Sequence, residues 1–465
     1  MEQIELNNDG LRNTKCKLDG NPKTDWLRNK NGLLLKTYGW IVKNAIGIVL
    51  LIHGLKSHAR LTYMKINLKM TNKNKSLVVD SNNYYIYKDS WIENFNKKGY
   101  SVYALDLQGH GESQAWGNIK GNFSSFDDLV DDVIQYMNKI HDEISNDNQT
   151  DDESTHIVTT KKKRLPMYII GHSLGGGIAL RILQLLKKEQ KDKINSEDAN
   201  DNNMIEDIIN DMDNSNDHAI GNMNNTHLIT NSNDYDSDKS CASTSSTTNA
   251  IDGPSDKDEG CYNYLDKFNI KGCVTLSGMM RFKTIFDFGN NLIERFYLPA
   301  VDIMSRVAPH VLISSEIGYK RSKYVDNICK HDKFRNNSGI KFKCMYEVIK
   351  ASITLNYNIN YMPTNVPLLF VHSKDDSICH YQGVISFHNQ ANVSKKKLHI
   401  VNGMNHAITV EQGNEQILKK ILEWISNLKR DDEIEDEINE INAEIEGEIE
   451  GEIEDEIEDE TKNEI

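Results

Sequence analysis

Residues 167–177 read Met-Tyr-Ile-Ile-Gly-His-Ser-Leu-Gly-Gly-Gly. Met167 to Ile170 is a short, wholly apolar run, the pattern of a strand buried on both faces. Gly171-His172-Ser173-Leu174-Gly175 follows at once, and a helical pattern follows that. A serine raised on a sharp strand-to-helix turn has a strained backbone, and its neighbours two residues away must be small to avoid collision. The helix behind it aims its N-terminal dipole at negative charge developing nearby. The five-residue pattern alone recurs by chance as a glycine turn. Strand before and helix after make this one the signature of a nucleophilic serine.

Working outward, strand-like and helix-like segments alternate. Leu33 to Trp40 follows an Asn31-Gly32 turn signal and reads as one strand of an opening hairpin. Ile48 to Ile52 is a second buried-strand run. Trp91 to Lys98 is a short helix ending at Gly99, Ser101 to Leu107 a strand, and Phe126 to Ile144 a helix with Leu129, Val130, Val133, Ile134 and Met137 on one face. Beyond the serine, Ile270 to Leu276, Pro367 to His372 and Leu398 to Val401 are strands, and Ile417 to Leu428 is a closing helix. Such alternation predicts a mostly parallel sheet covered by helices.

The alternation is interrupted, and the interruptions set the organisation. Residues 1–145 form the N-terminal part of the core, 146–164 a polar insert, and 165–187 the serine turn and its helix. An Asn/Asp-rich insert at 188–260 has too few large apolar residues to offset the entropy of ordering, and disorder is expected there. A calcium loop starting at Asp211 fails on Asn216 and Asn222, where glycine and glutamate are needed. Residues 261–280 hold a core strand, 281–365 an apolar-aromatic, helix-like cap, 366–430 the C-terminal part of the core, and 431–465 an acidic low-complexity tail. Without the inserts and tail, roughly 330 residues remain, enough for one large domain.

Charge is as uneven as hydropathy. The chain carries −15 in total, but residues 431–465 hold 19 acidic residues and one lysine, which leaves the rest at +3. A near-neutral body argues against a nucleic-acid groove, which needs a concentrated basic face. Seven scattered cysteines form no C-x-x-C pair and no zinc spacing, and read as free thiols in a reducing compartment. The polar, acidic start argues against a secretory signal, and no apolar run approaches the ~20 residues of a membrane span. A cytoplasmic protein, at most peripheral to membranes, is expected. In the tail, Ile434, Ile438, Ile441, Ile445, Ile449, Ile453 and Ile457 recur every three or four residues, the stripe a helix would carry. Repulsion between the intervening glutamates opposes that helix at neutral pH, so a solvated, unfolded tail is expected.

Ser173 requires partners. One oxyanion donor should be the backbone N–H of the next residue, Leu174. The second should come from the loop after Ile48–Ile52, where His53-Gly54-Leu55 lets the backbone turn closely and Leu55 present its N–H. His53-Gly54 alone is also an ordinary polar strand end, but it lies one strand–helix unit ahead of the serine. The acid is expected at the end of the strand Pro367–Val371, in His372-Ser373-Lys374-Asp375-Asp376-Ser377-Ile378-Cys379. Asp376 is preferred to Asp375 because Ile378 and Cys379 then tuck back as an apolar pair. The base is expected in the loop after the last strand, at His406 in Asn402-Gly403-Met404-Asn405-His406, and His399 within that strand is the poorer candidate. Ser173, Asp376 and His406 together suit acyl transfer with no metal or organic cofactor.

These motifs, with Asp106-Leu107-Gln108-Gly109-His110-Gly111-Glu112-Ser113, resemble the monoacylglycerol lipase and lysophospholipase branch of the α/β-hydrolases. The chain as a whole looks most like the lysophospholipases of protozoan parasites with Asn-rich proteins. The resemblance covers all but the inserts and tail. It implies the α/β-hydrolase fold, a triad of Ser173, Asp376 and His406, oxyanion donors at Leu55 and Leu174, and a cap at 281–365. The implied activity is carboxylic ester hydrolysis, with a lysophospholipid or a monoacylglycerol as the lipid ester substrate. Gly175-Gly176-Gly177 is more glycine-rich than the usual turn and should loosen the helix start. In the cap, Leu292, Ile293, Phe296, Tyr297, Ile303 and Met304 approximate one apolar helical face. Ordinary core is the commoner reading of such a stripe; an acyl tunnel or transient contact with a membrane surface is the other. An acyltransferase or thioesterase would share the triad, whereas a non-catalytic binding protein would not need it. The sequence leaves the oligomeric state open.

Overall fold

The computed structural model describes residues 16–70, 76–78, 80, 82–147, 164–187, 267–283, 298–313 and 322–463. The insert at 188–260 and most of that at 146–164 lie outside these, as do Leu292, Ile293, Phe296 and Tyr297.

The apolar runs form one eight-stranded sheet. Its strands are β1 (Lys23–Arg28), β2 (Leu34–Trp40), β3 (Gly47–Ile52), β4 (Tyr100–Leu105), β5 (Met167–His172), β6 (Ile270–Leu276), β7 (Leu368–Ser373) and β8 (Lys396–Val401). They lie in the order β1-β2-β4-β3-β5-β6-β7-β8. β2 runs antiparallel to both its neighbours, and the six strands from β4 to β8 are mutually parallel. β1 and β2 meet at the Asn31-Gly32 turn, where Gly32 takes a φ of +79°.

The helices are α1 (Ala59–Tyr63), α2 (Trp91–Lys97), α3 (Phe126–Asp147), α4 over residues 174–187, α5 (Leu298–Val307), α6 (Lys323–His331), α7 (Phe342–Tyr357), α8 (Tyr381–Gln390) and α9 (Asn414–Asn463). Alternate strand residues point to opposite faces. Val49, Leu51, Tyr168, Ile170, Val274, Leu276, Leu369 and Val371 join a core with Trp91, Ile92 and Phe95 of α2 and Ile421, Trp424 and Ile425 of α9. Between them, Leu50, Ile169, Cys273 and Phe370 are also fully buried, and Phe370 meets Phe387 of α8 at 6.0 Å between ring centroids. Burial on both faces is why these strands are continuous apolar runs, at about 1.5–3 kcal/mol per large side chain.

The acidic tail departs from expectation. α9 does not stop near Leu428 but continues to Asn463. A helix already nucleated by its packed first half extends at little cost. Ion pairs at the crossover temper the acidic charge: Lys395–Asp431 at 3.2 Å, Lys271–Asp432 at 3.4 Å and Lys429–Glu433 at 3.4 Å. Ile434, Ile438 and Ile441 are about half exposed on it. The cap stripe departs too: Ile303 is 61% and Met304 37% exposed, and α5 has no buried residue, so ordinary core is excluded for these two. Among the described residues, no helix is long and apolar enough to cross a membrane.

The loops at the carboxyl ends of β3 and β4 are locked by two buried histidines. His53 accepts the Leu107 N–H on Nε2 (2.9 Å) and donates Nδ1–H to the Gly54 carbonyl (2.8 Å). The His110 ring lies 5.4 Å from it and is held on Nδ1 by the Gln108 carbonyl at 2.6 Å. Burial pushes both imidazoles down to about 3 from 6.5, so both stay neutral in the folded protein. In the unfolded chain they take up protons below about pH 6.5, so their contribution is full above that pH and is lost as pH falls toward 3. The thermal midpoint should therefore decline steadily from pH 6.5 to 4, and less steeply in His110→Phe. A flat profile over that range would contradict the burial argument.

A candidate Ser-His-Asp active site

All the loops that matter leave the same edge of the sheet. Ile52 pairs with Gly171, His172 with Leu276, and Ser173 follows β5 directly, while β7 and β8 end side by side at Ser373 and Val401. Ser173 has a φ of +53°, in the left-handed region. The turn is held because the Ser173 N–H donates to Leu276 O (2.8 Å) and its carbonyl accepts the Gly177 N–H (3.2 Å). A Cβ on Gly171 would strike the Gly175 carbonyl, and one on Gly175 would strike the Ile52 carbonyl. Both glycines are therefore required by close approach. α4 starts at Leu174, with Gly176 packed near Gly171 and Gly278, and Gly177 against Met279.

Ser173, His406 and Asp376 form a hydrogen-bonded chain. His406 Nε2 lies 2.8 Å from Ser173 Oγ, and Nδ1 lies 2.8 Å from Asp376 Oδ2. The other oxygen, Oδ1, accepts the N–H groups of Ile378 (2.8 Å) and Cys379 (2.9 Å). This is the tuck-back anticipated from the apolar pair. Burial alone would raise the Asp376 pKa, but His406, His372 and the backbone donor at Ile378 outweigh it and hold the carboxyl at about 2. Asp375 has a different task, accepting the Gly403 N–H at 2.7 Å where that glycine takes a φ of +77°. His399 lies on the edge strand β8, away from this chain.

Three neighbours brace the triad, and no sequence pattern singles them out. Asn405 Oδ1 accepts from the His406 N–H (2.8 Å), the Ser377 N–H (3.1 Å) and the Ser377 hydroxyl (2.8 Å), tying the acid loop to the base loop. His172 Nε2 donates to the His406 carbonyl at 3.0 Å, and burial, with the charge of His406, pushes its pKa down to about 4. His372 Nε2 donates to the Cys379 carbonyl at 3.1 Å and closes the acid loop. The Leu174 N–H is the first of α4 and so lacks an intrahelical acceptor. The Leu55 N–H has no acceptor among the described residues. A Cβ on Gly54 would touch Ser173 Cβ at 3.0 Å, so the loop bearing Leu55 lies against the serine.

A mostly parallel eight-stranded sheet, a serine on a left-handed turn and a His-Asp pair at its carboxyl edge define an α/β-hydrolase. The serine aminopeptidase, S33 family matches residues 82–195 and 262–413, more than half of the chain, and the chain belongs to that family. The matched residues include Ser173, Asp376 and His406; β3 and Leu55 precede them. No curated protein matches the sequence. Among solved structures, a soluble variant of monoglyceride lipase from Saccharomyces cerevisiae is similar at 14% identity and a TM-score of 0.52, covering 89% of this chain and 98% of its own. A monoacylglycerol lipase from Paleococcus ferrophilus has 15% identity, a TM-score of 0.47 and coverages of 85% and 99%. A thermostable carboxyl esterase from Bacillus coagulans has 13% identity, a TM-score of 0.49 and coverages of 88% and 98%.

Proposed function

We propose that this protein is a serine hydrolase that cleaves the acyl ester of a single-chain glycerolipid, a monoacylglycerol or a lysophospholipid, through an acyl-enzyme on Ser173. The observation that carries this reading is the unbroken chain Asp376–His406–Ser173, with 2.8 Å at each link. His406 Nε2 takes the serine proton as Oγ attacks the ester carbonyl. Asp376 holds the imidazole with its proton on Nδ1 and stabilises the cation that forms. The Leu55 and Leu174 N–H groups receive the oxyanion. His406 then protonates the leaving alcohol, and water releases the fatty acid by the same steps in reverse.

The lipid substrate draws its support from the cap. Ile303 on α5, Val307 at its end, and Val311 and Leu312 just after it leave large apolar surface exposed. Single apolar residues are ordinary on a surface, but these four exposed ones between Ile303 and Leu312 suit contact with a lipid aggregate. The fold neighbour from yeast is a monoglyceride lipase, solved with a substrate analog, and the same substrate class is proposed for this chain.

A fluorophosphonate probe should label wild-type protein at Ser173 and leave Ser173→Ala unlabelled. Asp376→Asn should lower kcat by about 10⁴-fold, because the wrong imidazole tautomer is then favoured. Asp375→Asn should change it far less. Labelling that persists in Ser173→Ala, or the reverse ranking of the two aspartates, would refute the assignment.

The cap generates a separate expectation. Ile303→Glu with Val307→Glu should depress hydrolysis of emulsified monoacylglycerol severalfold and leave that of soluble p-nitrophenyl butyrate unchanged. Equal losses on both substrates would contradict a lipid-facing cap.

A further inference from the structure

A second part of the 281–365 segment meets the loop that follows β3. α6 ends at Asp332, whose side chain is completely buried. Its carboxylate faces His58 Nε2 at 3.1 and 3.2 Å, and accepts the Tyr85 hydroxyl at 2.8 Å and the N–H groups of Phe334 (2.9 Å) and Arg335 (2.8 Å). His58 Nδ1 accepts the Leu61 N–H at the start of α1 (3.4 Å), so the ring proton lies on Nε2, toward Asp332. Burial opposes the charge on Asp332, yet His58, Tyr85 and the Arg335 N–H pull its pKa down to about 2. Four residues on, the Asn336 N–H donates to the Lys56 carbonyl at 3.2 Å.

Lys56 lies in the turn that carries Leu55, and His58 follows it directly. Gly54 to Ser57 is closed by the Ser57 N–H on the Gly54 carbonyl (3.2 Å), and Lys56 takes a φ of +65°. The Gly54 carbonyl also receives His53 Nδ1–H at 2.8 Å, which fixes the Gly54–Leu55 peptide plane from the body. The far side of the turn is fixed by the cap, through Asn336 on Lys56 and Asp332 on His58. A carboxylate buried against an imidazole is a poor source of net stability, because its charge must be desolvated; geometric specificity is what such a contact supplies best.

We propose that Asp332 is a positioning residue. Through His58 and the 332–336 loop it holds the turn that presents the Leu55 N–H, so the oxyanion hole is complete only while α6 is seated on the body. This rests on the reading of Leu55 as an oxyanion donor. Seating of the cap is thereby linked to turnover at Ser173.

The test compares wild type, Asp332→Asn, His58→Asn and the double variant on p-nitrophenyl butyrate, with kcat expressed per serine titrated by a fluorophosphonate. Each single variant should lose about tenfold to a hundredfold in kcat with KM within about threefold, and the double should be no slower than the slower single. Normalising to titrated serines removes any loss due only to unfolding. Turnover within about twofold of wild type in either single variant, a loss carried by KM, or losses that multiply in the double would each overturn the proposal. If Asp332→Asn does not fold, Tyr85→Phe replaces it, since it removes one donor and keeps the pair. It should cost about threefold in kcat, and an unchanged kcat would count against the clamp. A wild-type protein with no titratable serine would instead sink the hydrolase reading itself.

Discussion

A serine held at a φ of +53° is the constraint on which the rest of the site depends. For a residue with a Cβ this conformation costs about 1–2 kcal/mol, and it persists only where the surroundings fix it. They do so through the hydrogen bond of the Ser173 N–H to Leu276, the Gly177 N–H on its own carbonyl, and two glycines that let β3, β5 and α4 approach within contact. The turn sets Oγ 2.8 Å from His406 Nε2 and leaves the Leu174 N–H at the open end of a helix. Position and electrostatics thus come from one turn.

Around it the loops are tied by neutral, buried histidines. His53 links the β3 and β4 loops, His172 holds the His406 carbonyl, and His372 closes the acid loop. Burial lowers the pKa of each, so they act as fixed hydrogen-bonding groups and not as charges. The described parts of residues 281–365 are attached unevenly. α7 is rooted in the body, where the Met280 carbonyl accepts from Ser352 Oγ and Asn356 Nδ2, and α6 is clamped through Asp332. α5 is left with Ile303, Met304 and Val307 exposed.

The sheet and the triad were legible because their signals are local. Buried parallel strands are short apolar runs, and the elbow needs its glycines within five residues. Asp376 could be told from Asp375 by the residues that fold back after it. The brace at Asn405 and the clamp between His58 and Asp332 were not legible. The latter partners are 274 residues apart, and neither belongs to a pattern. The tail was misjudged because its charge repulsion is visible in sequence, whereas the packed helix that nucleates it and the lysines of β6 and the β7–β8 connection that meet it are not. The exposed stripe at Ile303 and Met304 has the periodicity of a core helix, and periodicity alone does not say which surface it faces.

Pre-steady-state kinetics on a chromogenic long-chain ester, followed by mass analysis of the quenched protein, test the central claim most directly. The account requires a burst of alcohol release approaching one equivalent per titrated serine, with the acyl group recovered on Ser173 and both signals absent from Ser173→Ala. Steady turnover with no acyl group on Ser173, or an acyl group on another residue, would contradict it.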